Sequence, residues 1–143
     1  YPLPFYDGDL EEESGIPENA VKLRTLLMEH DGRLISTPEY NGGTTAILTN
    51  MIDWLSRPFD EHPHCVCFTK KVAAVLSVTS SPFGGLRGLL VLRDILLNIG
   101  CIITPEHMAL PYGKHAFNED GTLKDQANQD QLTRMVQQFS EIL

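Results

Sequence analysis

Residues 32–43 read GRLISTPEYNGG, and this stretch decides the fold because a buried run stops inside it and a loop unsuited to plain packing begins. Leu34 and Ile35 with the small residues after them predict a short inner strand of a parallel sheet, too brief and too apolar for a surface strand. Pro38 fixes its own φ and biases Thr37 toward extended geometry. Asn41, Gly42 and Gly43 tolerate positive φ. A helical pattern follows over about Thr44 to Ser56, with Ile47, Leu48, Met51, Ile52 and Leu55 on one face and Pro58 as its stop. The sequence thus runs strand, loop, helix. In open α/β sheets ligands occupy the crevice outside the carboxyl ends of the strands, so Pro38 to Gly43 is expected to line a cleft.

The same switch recurs downstream. Residues 71–78, KVAAVLSV, predict a strand buried on both faces, and Thr79 to Gly85, TSSPFGG, predict a second loop beside the first. The helix expected from Leu86 to Ile99 is apolar nearly all round. One sheet covers only one side of such a helix, so the rest is either packed under other elements or, as the preferred expectation with Leu92 included, buried against a second subunit. Cys101 to Thr104 predicts a third strand, followed by a loop with an Asn-Glu-Asp-Gly turn and a last amphipathic helix from about Asp125 to Leu143. Upstream, Pro17 and Glu18 signal a helix ending near Asp31. Pro2 and Pro4 exclude residues 1–13 from a central strand, and these predict an extended edge piece running into an acidic loop. Alternating helices and strands give an α/β fold with a doubly wound parallel sheet and right-handed crossovers.

With 143 residues, 42% hydrophobic and 21% charged, the chain suits one domain with its own core. A formal charge of -8 argues against a broad nucleic-acid or anionic-membrane surface, so any anionic ligand must be held by local groups. No apolar run of about 18 residues predicts a membrane span. Cys65, Cys67 and Cys101 form an odd set without a disulfide framework, which points to a reducing cytoplasm. HPHCVC at 62–67 invites a metal site, but no second ligand cluster exists and the spacing of structural zinc sites is absent, so loop histidines and buried thiols are expected. Trp54 and Arg57 lie off the stripe of their helix; they read either as a partly covered aromatic with a cation at a helix C-terminus, or as a subunit contact.

TPEYN at 37–41, NMIDWLSRP at 50–58, SSPFGGLRG at 80–88 and AFNEDGTLKD at 116–125, in this order, resemble the NADPH-dependent FMN reductases, a flavodoxin-like family that includes chromate, quinone and azo-dye reductases. The resemblance runs over the whole chain. It implies a three-layer α/β/α sandwich, bound FMN, NADPH or NADH as co-substrate, a small-molecule electron acceptor, and a homodimer or homotetramer with the 50–58 stretch near the interface. It also implies that the first βα unit, with the loop gripping the FMN phosphate, is absent from these residues. The strands at 33–37, 72–78 and 101–104 would then be the family's third, fourth and fifth, Tyr1 to Tyr6 the remains of its second, and the missing piece on the order of 30 to 45 residues.

Hydride transfer between nicotinamide and flavin needs no protein nucleophile, so no catalytic side chain is expected. The expected cofactor-binding set is Pro38, Glu39, Tyr40, Asn41 and Gly42 in one loop and Ser80, Ser81, Phe83, Gly84 and Gly85 in the other. Backbone amides near Glu39 to Gly42 would meet the flavin's polar edge, with Ser80, Ser81 and Phe83 facing the ring. A flavin-binding electron carrier or regulatory module without NAD(P)H turnover remains as an alternative, as does an interaction domain that has lost the flavin.

Overall fold

The computed structural model describes residues 1–143. In chain order the elements are α1 (Gly8–Ser14), α2 (Glu18–Met28), β1 (Gly32–Ser36), α3 (Ala46–Leu55), β2 (Val72–Val78), α4 (Leu86–Asn98), β3 (Ile102–Ile103), β4 (Met108–Leu110), α5 (Gly113–Ala116) and α6 (Gln126–Ile142). β2 is the central strand: β1 pairs with one of its edges, β3 and β4 pair with it on the other side, and every pairing is parallel. β3 and β4 are two pieces of one ribbon, interrupted where Pro105 removes a ladder donor. The sheet and its flanking helices form the expected flavodoxin-like α/β arrangement.

Alternation along β2 divides the core between two faces. Ala73 and Val75 join Ile52 and Leu55 of α3 and Leu89, Leu92 and Leu96 of α4 in the larger cluster. Leu76, on the opposite pleat, packs with Met108, Leu110, Leu123 and Met135, which brings α6 onto the second face. Caps fix the helix starts: Thr45 Oγ1 accepts from Leu48 N–H at 3.3 Å, and Asp125 accepts from Ala127 and Asn128 N–H at 2.7 and 3.3 Å.

Four expectations need correction. The acidic stretch is a helix, not a loop, because Asp7 accepts from Asp9 N–H at 2.9 Å and caps α1. Tyr1 to Tyr6 joins no strand. Asn50 and Trp54 hold it instead, through Asn50 Nδ2 and Trp54 Nε1 donating to Pro4 C=O at 2.9 and 2.8 Å and Tyr6 N–H donating to Asn50 Oδ1 at 2.7 Å. Trp54 is therefore fully buried inside this chain, edge-on to Tyr6 at 5.0 Å, and is no subunit contact; Arg57 Nε pairs with Glu11 at 2.8 Å. Leu92 is also fully buried in the core, and the uncovered apolar residues of α4 are Leu90, Val91 and Leu97.

The outer edge of β1 is open. Thr37 N–H donates to Leu76 C=O and Val72 N–H to Asp31 C=O. Alternate residues Asp31, Arg33, Ile35 and Thr37 thus face β2, and Leu34 and Ser36 turn their backbone N–H and C=O groups outward.

Candidate functional site

The loop after β1 is a tight reversal. Gly43 N–H donates to Tyr40 C=O at 3.0 Å, and Tyr40 N–H donates back to Gly43 C=O at 3.2 Å. Asn41 and Gly42 between them have φ of 54° and 77°, the positive pair that a two-residue type I′ reversal demands. The two amides at the tip, Asn41 N–H and Gly42 N–H, have no acceptor in the chain. A Cβ on Gly42 would meet nothing within 4 Å, so the space beside the tip is open to a ligand.

The loop after β2 is anchored from below. Thr79 N–H donates to Leu110 C=O at 3.2 Å, Gly113 N–H to Thr79 C=O at 2.9 Å and Gly84 N–H to Ser81 C=O at 3.3 Å. Ser81 Oγ lies 3.0 Å from Thr79 Oγ1. Gly84 and Gly85 have φ of 61° and 90°, and they pass so close to the sheet that a Cβ would fall 2.6 Å from the Ala109 carbonyl carbon and 2.0 Å from Ser77 Oγ. Phe83 is 57% exposed beyond them, with the Arg87 guanidinium over its ring at 5.1 Å.

The loops meet through Glu39. Its carboxylate does not face the cleft: Oε2 accepts from Gly88 N–H at 3.0 Å and Oε1 lies 3.5 Å from Arg87 Nε. Of the expected set, Pro38 and Tyr40 line a groove of about 760 Å³ with Tyr1, Leu3, Thr45 and Ile47, within the usual range for small-molecule sites. Glu39, Asn41 and Gly42 are not part of its lining, the last two following Tyr40 on the turn as free donors, and Ser80, Ser81, Phe83, Gly84 and Gly85 lie outside it as well, on the shelf formed by the loop after β2. A second cleft of about 460 Å³ lies on the α6 side, between Leu76, Val78, Leu110, Leu123 and Leu132.

Two contributors escaped sequence reasoning. Gly88 lets the first turn of α4 touch the β1 loop, since a Cβ there would come 2.8 Å from Gly43 C=O; the signal was a glycine inside a leucine-rich helix, where it lowers helix propensity. The N-terminal segment forms a wall of the groove, for which only Pro2 and Pro4 gave warning. No group of three or more His, Cys, Asp or Glu is placed to hold an ion, and within HPHCVC the Cys65 Sγ lies 2.8 Å from His64 Nδ1. Burial pushes the Cys65 and Cys67 thiols up and that of Cys101 to about 11, so these are neutral thiols at neutral pH and not nucleophiles.

The arrangement suits a flat ligand with a polar edge. Free backbone donors on the first loop would bond acceptors on that edge, the glycines allow close approach, and no side chain is poised for covalent chemistry. An isoalloxazine has this shape and this acceptor edge, so the residues present fit a flavin.

Comparison with known proteins agrees with that chemistry. The sequence profile described as NADPH-dependent FMN reductase matches residues 1–115. A quinone reductase of Escherichia coli is 31% identical over 143 residues, covering 99% of this chain and 73% of its own length. An NAD(P)H-dependent FMN reductase of Pseudomonas aeruginosa is 33% identical over 143 residues, with 71% of its length covered. Among solved structures, the flavoenzyme NAD(P)H:(acceptor) oxidoreductase FerB of Paracoccus denitrificans superposes with a TM-score of 0.79 at 26% identity, over 98% of this chain and 75% of that one.

Proposed function

The chain belongs to the NADPH-dependent FMN reductase family, and on that premise we propose that its two cleft loops hold FMN for hydride transfer from NADPH or NADH to a small-molecule acceptor such as a quinone. The observation that carries this reading is the pair of unpartnered amides, Asn41 N–H and Gly42 N–H, on a reversal that cannot relax away from them. When bound, FMN supplies the hydride-accepting and electron-donating chemistry.

The chain's own residues supply binding, orientation and exclusion of water. Asn41 and Gly42 would donate to the flavin's polar edge, with Pro38 and Tyr40 walling it from the groove side and Ser80, Ser81 and Phe83 from the shelf. Gly84 and Gly85 keep that shelf flat, because any side chain there would push it off the sheet. Tyr40 and Ile47, 62% and 80% exposed, offer an apolar surface against which a quinone ring can lie.

Anaerobic addition of NADPH to the FMN-loaded protein should bleach the visible flavin absorbance, and a quinone should restore it. A flavin that stays oxidised would leave the electron-carrier reading standing.

The reading extends to assembly. Leu90, Val91 and Leu97 form an uncovered apolar strip on α4 that a second copy of the chain would cover, and Leu90→Glu should shift the protein to a smaller species on gel filtration. An unchanged elution volume would count against a shared α4 face. The open β1 edge and the adjoining 460 Å³ cleft suit one more parallel strand and its helix, contributed by the same polypeptide; a natural mass of 16.0 kDa, that of these residues alone, would defeat this. Three unpaired cysteines suit a reducing cytoplasm, and no helix is long and apolar enough to cross a membrane.

A further inference from the structure

Each cleft loop is fixed to its own strand, but a flavin held between them also needs a fixed distance from one loop to the other. The hydrogen bonds described above anchor the loop after β2 to β4, and those of the loop after β1 close on itself. Neither set spans the gap. The side chain that does is Glu39, only 8% exposed.

We infer that Glu39 is a positioning residue, a latch that sets the spacing of the flavin cleft by clamping the loop after β1 onto the first turn of α4. α4 begins at Gly85, which offers no side-chain cap, so the free N–H groups of its first turn need an acceptor from elsewhere. Glu39 Oε2 supplies it at Gly88 N–H, 3.0 Å away, where the helix dipole favours a carboxylate. The other oxygen faces Arg87 Nε at 3.5 Å, and the Arg87 guanidinium lies over Phe83 at 5.1 Å. A continuous path therefore runs from Glu39 through Arg87 to Phe83, the exposed aromatic of the opposite loop. Gly88 makes the approach possible, since a Cβ there would come 2.8 Å from Gly43 C=O and 3.2 Å from both Cβ and Cγ of Glu39.

Two features separate a latch from an ordinary surface ion pair. The carboxylate is buried while its arginine is 62% exposed, so the energy resides in the charge-assisted bond to Gly88 N–H more than in the ion pair. The bond also joins residues 49 apart in sequence, one in the loop after β1 and one in the helix that continues directly from the loop after β2. The inference rests on the functional reading above, and its test is chosen to keep the two apart.

Glu39→Ala and Glu39→Gln are compared with the parent protein in two measurements: amide hydrogen exchange at Gly88 without flavin, and FMN affinity by quenching of flavin fluorescence. Ile99→Ala, at the far end of α4 from Gly88 and packed against the main core, serves as a control for general loss of stability. Glu39→Ala should accelerate Gly88 exchange and weaken FMN binding by about tenfold or more, while Glu39→Gln, which keeps an oxygen acceptor for Gly88, should restore most of both. Ile99→Ala should leave FMN affinity within about twofold of the parent. Parent-like FMN affinity in Glu39→Ala overturns the latch, as does an equal loss in Ile99→Ala. All proteins carry the natural chain, with the unit that grips the FMN phosphate; such a parent that binds no FMN overturns the functional reading and the positioning role with it, whereas the exchange measurement still reports whether Glu39 holds Gly88.

Discussion

The loop after β1 and the loop after β2 leave parallel neighbours at the same end of the sheet, yet opposite means hold them. The first is closed on itself by reciprocal bonds between Tyr40 and Gly43, with open space beyond its tip. The second is pressed onto the sheet by two glycines that leave no room beneath them. Shape is therefore local in one and tertiary in the other. A self-closed turn can present bare N–H groups because nothing else must cover them, whereas a loop moulded to its support can offer only its outer surface, here Ser80 and Phe83. Glycine has a different use in each: at Gly42 it supplies a backbone angle, and at Gly84 it supplies both an angle and an absent Cβ.

Substitution at Gly84 tests that difference most severely. In Gly84→Ala the new methyl would fall 2.6 to 2.7 Å from the backbone of Ala109 and Leu110 at a φ of 61°, so β4 must move or the loop must lift. Strain in the left-handed region and overpacking together should remove about 3 kcal/mol or more of stability, lowering the melting midpoint by roughly 10 °C. Calorimetry checks this. A midpoint close to the parent's would show that the loop is not seated on β4 as described.

The first loop was legible in sequence for the same reason that it is self-contained: Pro38, Asn41, Gly42 and Gly43 carry their own geometric signals. The second was legible only as a glycine-rich break. That Gly85 lies on Ser77 and Gly84 on Ala109 depends on which strands end up beside β2, and β4 itself was hidden, because Met108–Leu110 is three residues long and follows a proline interruption. The apolar run of α4 did predict a strongly buried helix, but not which leucines face inward. Leu89, Leu92 and Leu96 follow the sheet, and Leu90 and Leu97 do not, a division set by the packing angle. Trp54 misled for a related reason: its partners, Pro4 and Tyr6, lie about fifty residues away in a segment with no periodic pattern to announce it. Glu39 read as a cleft residue by its place in the motif, while its carboxylate belongs to a helix terminus that only the folded chain brings near.

Acid should loosen the second loop's foundation before the first's. His107 precedes β4, its Nδ1 is buried without a partner, and burial together with the nearby Arg93 holds its pKa below the ordinary histidine value. At neutral pH the ring is uncharged in both folded and unfolded chains, so it makes no difference to stability. As pH falls through about 6.5, the usual unfolded-state value, the unfolded chain takes up a proton that the folded one resists, and stability declines until the depressed folded-state pKa is reached. Urea midpoints for parent and His107→Leu should therefore diverge in slope between about pH 7 and pH 5, the variant losing less. Equal slopes would remove His107 from the account.

Gly42→Ala should have the smallest effect on stability and is the sharpest test of what the first loop is for. The added methyl meets nothing within 4 Å, so no packing clash accompanies it and only the angle, φ 77°, is penalised. A single residue forced into the left-handed region costs about 1 to 2 kcal/mol, well below the expected loss at Gly84, and the Tyr40–Gly43 bonds should survive. The open space that makes the substitution mild for the fold is the space assigned to the flavin's polar edge, so the methyl should interfere with the ligand more than with the protein. Melting in the absence of flavin should change by only a few degrees, while FMN affinity falls by about tenfold or more. If both properties fall only slightly, the tip of this loop is a simple turn and the amides of Asn41 and Gly42 are bonded to water alone.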